Sequence, residues 1–234
     1  GLQQSNNWIS AYLMSKLNPQ AFVTLLREYG INNPEIHPSM SLCLGPCDIT
    51  VAEMVSAYTA FVNHGIRTAP LLVTRIEDNE GNVVAQFRPR MNEVISEESA
   101  HKMLYMLKAV IDGGTGGRLR YMYNITGEVG GKTGTTNNNS DAWFMGITPN
   151  LVSGCWVGGD DRDIHFSMTS IGQGASGALP IWAYFMKSVY ADKRLGYSPE
   201  AVFDLPPGYN PCKMDESGLD ATFNAGGNIE EIFE

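Results

Sequence analysis

Between Glu128 and Val157 the chain leaves no room for a helix. Three strand-like runs, Glu128–Thr133, Ala142–Ile147 and Leu151–Val157, follow one another at short spacing. Thr148-Pro149-Asn150 is a turn signal between the last two. Parallel pairing would need a crossover of a dozen or more residues, so the spacing predicts an antiparallel meander.

Helical patterns surround these strands. From Ser5 to about Leu17, Trp8, Ile9, Tyr12, Leu13 and Leu17 fall on one face. Pro19 starts a second helix, with Phe22, Leu25 and Leu26 inward and Gly30 as its stop. Residues 31–47, rich in Asn and Pro, read as a loop. Thr50-Val51-Ala52-Glu53 is a capping box, and the helix behind it (Met54, Ala57, Tyr58, Phe61) ends at His64-Gly65. Leu71–Ile76 and Val83–Phe87 flank Asp78-Asn79-Glu80-Gly81, a hairpin signal. Ser96-Glu97-Glu98 caps a helix with Met103, Leu104, Leu107 and Val110 as its apolar stripe. That helix stops at Gly113–Gly117, which reads as a flexible segment. A last helix spans about Leu179 to Tyr190. The layout is α+β, an antiparallel sheet flanked by helices. Residues 1–195 form the domain, and 196–234 read as a loosely packed acidic tail rich in Pro and Gly.

Composition excludes several partners. With 234 residues and 43% hydrophobic, the chain can bury a real core. A net charge of −9 repels phosphate backbones, which argues against nucleic acid. No basic run exceeds two residues, and no apolar run approaches the ~18 residues of a spanning helix. The chain opens Gly1-Leu2-Gln3-Gln4 without Met, which suggests an excised or processed segment. Cys43 and Cys47 are spaced by three, and no second close pair completes a zinc site. No metal or cofactor is expected; Cys43 and Cys47 could pair, or both could be plain buried thiols.

The chemistry concentrates in Gly130-Gly131-Lys132-Thr133-Gly134-Thr135-Thr136-Asn137. Lys132, at the mouth of a glycine-flanked strand, can present its ammonium to a carboxylate. Thr133 and Thr135 alternate with Gly134, so their hydroxyls share one face. Gly134 lets another backbone approach closely. Backbone N–H groups at such an edge can bind an extended peptide or an oxyanion. A nucleotide P-loop would require glycine six residues before the lysine; position 126 is Thr. The four histidines are scattered, and His64 and His101 sit at helix ends as dipole or surface residues. Trp143, Trp156 and Trp182 read as core. Asp160-Asp161-Arg162-Asp163 reads as a solvated loop.

Gly131-Lys132-Thr133-Gly134-Thr135-Thr136 followed by Asp141-Ala142-Trp143-Phe144 resembles the transpeptidase domain of class A (bifunctional) penicillin-binding proteins. Leu42-Cys43-Leu44-Gly45, Thr50 through Tyr58 with Phe61-Val62-Asn63, and Gly114-Thr115-Gly116 fit the same family. Trp156-Val157-Gly158 and Ala178-Leu179-Pro180-Ile181-Trp182 complete the set, over roughly residues 2–190. The family carries Ser-x-x-Lys, Ser-x-Asn and Lys-Thr-Gly in chain order. Lys132-Thr133-Gly134 is the third element, and Ser5-Asn6-Asn7 looks like the second. Without the resemblance, Ser5 would read as a helix N-cap.

The first element should lie upstream of Ser5. Ser99-Ala100-His101-Lys102 has the right residues in the wrong order, beside Glu97 and Glu98, and reads as a decoy. The resemblance thus implies an incomplete β-lactamase/transpeptidase fold that is inactive alone. The intact enzyme would cleave the D-Ala-D-Ala end of peptidoglycan stem peptides with a serine, pass the acyl group to an amine, and be acylated by β-lactams.

By resemblance, Ser5 would relay protons and Asn7 would hold the substrate amide. Lys132, Thr133 and Thr135 would bind the terminal carboxylate beside Gly134, and the Thr135 N–H would serve the oxyanion. The resemblance places the domain on the outer face of a bacterial cytoplasmic membrane, behind an anchor and a glycosyltransferase domain that this sequence does not contain. Exposed apolar surface left by a missing nucleophile helix would favour homo-oligomers. The alternatives are a non-catalytic module that grips stem peptides or a partner, and a carboxypeptidase or β-lactamase of similar fold.

Overall fold

The computed structural model describes residues 1–209 and 211. Two short helices open the chain. Asn6 caps α1 (Asn7–Ser15) by accepting the N–H groups of Trp8 and Ile9, and Asn18 does the same for α2 (Pro19–Glu28), with Pro19 in its first turn. Gly30, at φ 81°, ends α2 in the left-handed region that glycine tolerates. The stretch expected as a plain loop contains a 3₁₀ turn, Met40–Leu44, with Leu42 buried. Met14, Val23, Ile31, Ile36, Leu42 and Ala57 form a small core here. The thiols of Cys43 and Cys47 are free.

The capping box forms as expected and starts α3 (Val51–Val62). Four short strands follow: β1 (Ile66–Thr68), β2 (Arg75–Glu77), β3 (Val83–Gln86) and β4 (Met91–Glu93). β2 and β3 make the expected hairpin, while β1 pairs with β4 around it. Ser96 caps α4 (Glu97–Gly113), which buries Leu104, Leu107, Val110 and Ile111. The glycine-rich segment after it closes on itself: Gly116 N–H donates to Val110 C=O and Gly117 N–H to Gly114 C=O, leading into α5 (Arg118–Tyr121).

The meander is β5 (Gly130–Thr135), β6 (Asp141–Thr148) and β7 (Leu151–Gly158), antiparallel in that order. α6 (Thr169–Gly172) and α7 (Ala178–Ala191) complete the helices, with a 3₁₀ turn at Lys193–Leu195. Trp182 of α7 meets Phe144 edge-on at 5.3 Å and donates its indole N–H to Ser153 Oγ at 2.7 Å. Gly146 makes room for that ring; a Cβ there would strike it. α3 covers the opposite face, where Val51 lies beside Met145 at Gly154. α4 tracks β5, with Leu107 beside Gly130 and Ile111 beside Gly131.

The apolar stripe of α1 faces solvent: Trp8 is 65% and Leu13 57% exposed. Two expectations change. Trp156 is a surface residue whose indole donates to Asp141. Residues 196–204, expected as the start of a tail, belong to the compact unit Gly1–Asp204. Phe203 is buried there, and its N–H donates to Glu128 at 2.6 Å. The rest of the expected tail, apart from 205–209 and 211, lies outside the described residues.

Candidate active site

Ser5 does not cap α1; Asn6 does. Ser5 instead precedes the cap at φ 54°, a left-handed conformation uncommon for a non-glycine residue. The turn that holds it is tied at both ends. Ser5 N–H donates to Leu2 C=O and Asn6 N–H to Gly1 C=O. The same turn is pinned to the end of α4: Thr115 N–H donates to Gln3 C=O, and Gln4 Nε2 to Gly113 C=O at 3.1 Å. A Cβ on Gly114 would run into the Gln3 carbonyl, so this contact requires glycine.

The freed Ser5 hydroxyl meets Lys132. Lys132 Nζ donates to Ser5 Oγ at 2.7 Å and to its neighbour's Thr133 C=O at 2.8 Å. Residues 127 apart in sequence thus share one hydrogen bond. Burial pulls the Lys132 ammonium below its ordinary value. No carboxylate pairs with it among the described residues, so its charge is available to an anion.

Strand geometry presents the rest. Thr136 N–H donates to Asp141 C=O across the meander. Antiparallel alternation then turns the N–H groups of Gly134 and Lys132 toward β6, and those of Thr133 and Thr135 outward. The Thr133 C=O that Lys132 contacts lies on that outward side. Thr133 Oγ1 lies 2.7 Å from Thr115 Oγ1, and Thr135 Oγ1 accepts the Gly174 N–H at 3.0 Å. Gly174 lies close to this strand, where a Cβ on it would strike the Gly134 and Trp143 carbonyls, whereas a Cβ on Gly134 would meet the Trp143 side chain.

Part of this set lines one open cleft of about 400 Å³; Lys132 reaches it through Ser5 and is not itself among the lining residues. Ser5, Asn7, Thr133 and Thr135 border it, while Lys132 and Gly134 do not. Thr115, Arg118, Tyr121 and Gln173 also border it and were not singled out as site residues. Gly114-Thr115-Gly116 carried a signal, since it belongs to the motif set. Arg118 carried none: its guanidinium reaches Ser176 Oγ at 2.9 Å, 58 residues away.

Ser99 and Lys102 are not in this cleft. Lys102 pairs with Glu98 at 2.6 Å, and the Ser99 hydroxyl accepts from Ser96. They occupy the first turns of the 17-residue α4, about 17–21 Å of helix from the Gly113 end that meets the cleft.

A family described as the penicillin binding protein transpeptidase domain matches residues 1–153. Penicillin-binding protein 1A of Aquifex aeolicus is 34% identical over 88% of this chain and 27% of its own length. Penicillin-binding protein 1A of Haemophilus influenzae superposes with a TM-score of 0.76 at 28% identity, covering 88% of this chain and 35% of that one. PonA1 of Mycobacterium tuberculosis in complex with penicillin V gives a TM-score of 0.67 at 25% identity, over 84% of this chain and 55% of that one. The chain thus spans about a quarter of the length of the curated relatives it matches. The α+β architecture is that of these transpeptidase domains. With the match running through Ser5, the α4 end and the Lys132–Thr135 strand, the chain belongs to the penicillin-binding protein transpeptidase domain family.

Proposed function

We propose that this chain supplies the Ser-x-Asn and Lys-Thr-Gly walls of a peptidoglycan D,D-transpeptidase. The nucleophilic serine comes from a Ser-x-x-Lys element joined to it. The contact between Lys132 Nζ and Ser5 Oγ, beside the outward Thr133–Thr135 edge, carries this reading. The nucleophile's Oγ bonds to the carbonyl carbon of the penultimate D-Ala, and the C–N bond to the terminal D-Ala breaks. The serine proton passes through Ser5 and Lys132 to the leaving amine. An acceptor amine then attacks the ester, forms the cross-linking amide and returns the serine.

In this scheme the substrate's terminal carboxylate lies against the Lys132 ammonium and the Thr133 and Thr135 hydroxyls. The Thr135 N–H donates to the oxyanion, where one such donor is typically worth 10²–10³ in rate. Asn7 holds the substrate's backbone amide. A β-lactam acylates the same serine, consistent with the penicillin V bound by PonA1. Peptidoglycan places the reaction outside the cytoplasm. No helix among the described residues is long and apolar enough to cross a membrane. The exposed stripe of α1 is the surface through which copies would associate, giving a concentration-dependent mass in light scattering; a constant monomer mass would refute it.

Intact-mass spectrometry after incubation with penicillin V tests the scheme. The chain alone should take no covalent adduct, and the chain joined to its Ser-x-x-Lys element should take one. An adduct on Ser99 would overturn it. No adduct on the joined form would favour the non-catalytic binding module.

A further inference from the structure

The far end of α4 carries a second cluster, built from residues that the transpeptidase site does not use. His64 ends the α3 region at φ 52°, and Gly65 follows at φ 89°. A Cβ on Gly65 would strike the Ile95 carbonyl, so this turn docks directly onto the entry to α4. Glu97 and His101 stand at i and i+4 in the first turns of α4 and therefore share a face. His64 Nδ1 lies 2.7 Å from Glu97 Oε1, and His101 Nε2 lies 3.9 Å from the same oxygen. The three ligating atoms lie within 4.8 Å of one another. The two imidazoles meet edge-on with centroids 6.0 Å apart, so they do not stack. Asp204 completes the group: its Oδ2 lies 3.7 Å from His64 Nε2. Asp204 follows the buried Phe203, whose N–H donates to Glu128, and its own side chain is 90% exposed.

We propose that His64 Nδ1, Glu97 Oε1 and His101 Nε2 bind a divalent transition-metal ion of the zinc type. Zinc holds nitrogen and oxygen ligands at about 2.0–2.2 Å, so tetrahedral neighbours stand roughly 3.3–3.5 Å apart. The distances of 2.7 and 3.9 Å bracket that spacing. Glu97, 60% exposed, can close the difference by a small side-chain rotation.

Two imidazoles select zinc, copper or nickel over magnesium and calcium, which prefer oxygen. The ion ties the end of α3 to the start of α4, beside the 202–204 segment. It lies at the opposite end of α4 from Thr115 and the cleft, so its role is structural rather than catalytic.

Isothermal titration of the chelator-treated chain 1–234 with zinc chloride tests this. One zinc per chain should bind, and His64→Ala, His101→Ala and Glu97→Gln should each weaken it at least tenfold. Glu97→Gln preserves shape at an exposed position and guards against a folding artefact. Zinc should also raise the Tm of the parent chain and leave that of Glu97→Gln unmoved. A Cys43→Ser, Cys47→Ser double variant should bind as the parent does. The proposal is overturned if no zinc binds at micromolar concentration, if binding survives both His101→Ala and Glu97→Gln, or if only the cysteine variant loses it.

Discussion

The two walls of the cleft are held in different ways. Lys132, Thr133 and Thr135 sit on β5, backed by Ile111, Phe144 and Trp182, each 2% exposed or less. Ser5 and Asn7 sit at the head of α1, whose buried side chain is Met14 while Trp8, Ile9, Tyr12 and Leu13 face solvent. Dense packing thus fixes the sheet wall. The helix wall is fixed mainly by polar contacts: Gln3 and Gln4 on the α4 end, the Asn6 cap, and Ser5 on Lys132. Removing packing should therefore damage the whole domain through β5 and only the local structure through α1.

The sharpest break of this contrast is Trp182→Ala, which empties the space beside Phe144 and strands Ser153. It should cost about 3–5 kcal/mol in urea unfolding; a loss below ~1 kcal/mol would show that packing does not hold the sheet wall. Next comes Met14→Ala, expected to cost about 2–3 kcal/mol, set against Leu13→Ala in the same helix. Leu13 is 57% exposed, and its truncation should stay within about 0.5 kcal/mol. Equal losses would mean that α1 packs differently.

Asn6→Ala should cost about 1 kcal/mol by removing the acceptor for the Trp8 and Ile9 N–H groups. It should also speed amide exchange in the first turn of α1 while leaving β5 unchanged. Faster exchange in β5 would join the two walls into one cooperative unit.

The smallest effect is a pH dependence. Burial alone would raise the Glu128 carboxyl, but the hydrogen bonds from Lys108 and the Phe203 N–H, with the charges of Lys108 and Arg120, hold it below its ordinary 4.5. A carboxyl held low in the folded state adds stability above its ordinary value and loses it as the pH falls through the lowered one. Stability should therefore fall on acidification below about 4.5, and Glu128→Gln should flatten part of that slope. An unchanged slope would assign it to other carboxylates.

The better-packed region was also the more legible in sequence. The meander could be read because short spacing leaves antiparallel pairing as the open choice, and the Thr50–Glu53 box because its signal is local. Ser5 and Asn6 are both good capping residues, so sequence alone could not say which would cap and which would face Lys132. An apolar stripe at helical spacing specifies α1 but not what it faces. β1 and β4 are three residues each with no buried alternation, which leaves no periodic trace. Thr115 on Thr133 and His64 on Glu97 join residues 18 and 33 apart, and both contacts depend on how α4 is laid down.

The most direct test of the central claim is the rate of acylation by penicillin V, followed by intact-mass spectrometry in the chain joined to its Ser-x-x-Lys element. Lys132→Ala should slow acylation by about 10²–10³-fold, and Ser99→Ala should leave it unchanged. Acylation that survives Lys132→Ala, or disappears with Ser99→Ala, would contradict the placement of the site at the Ser5–Lys132 cleft.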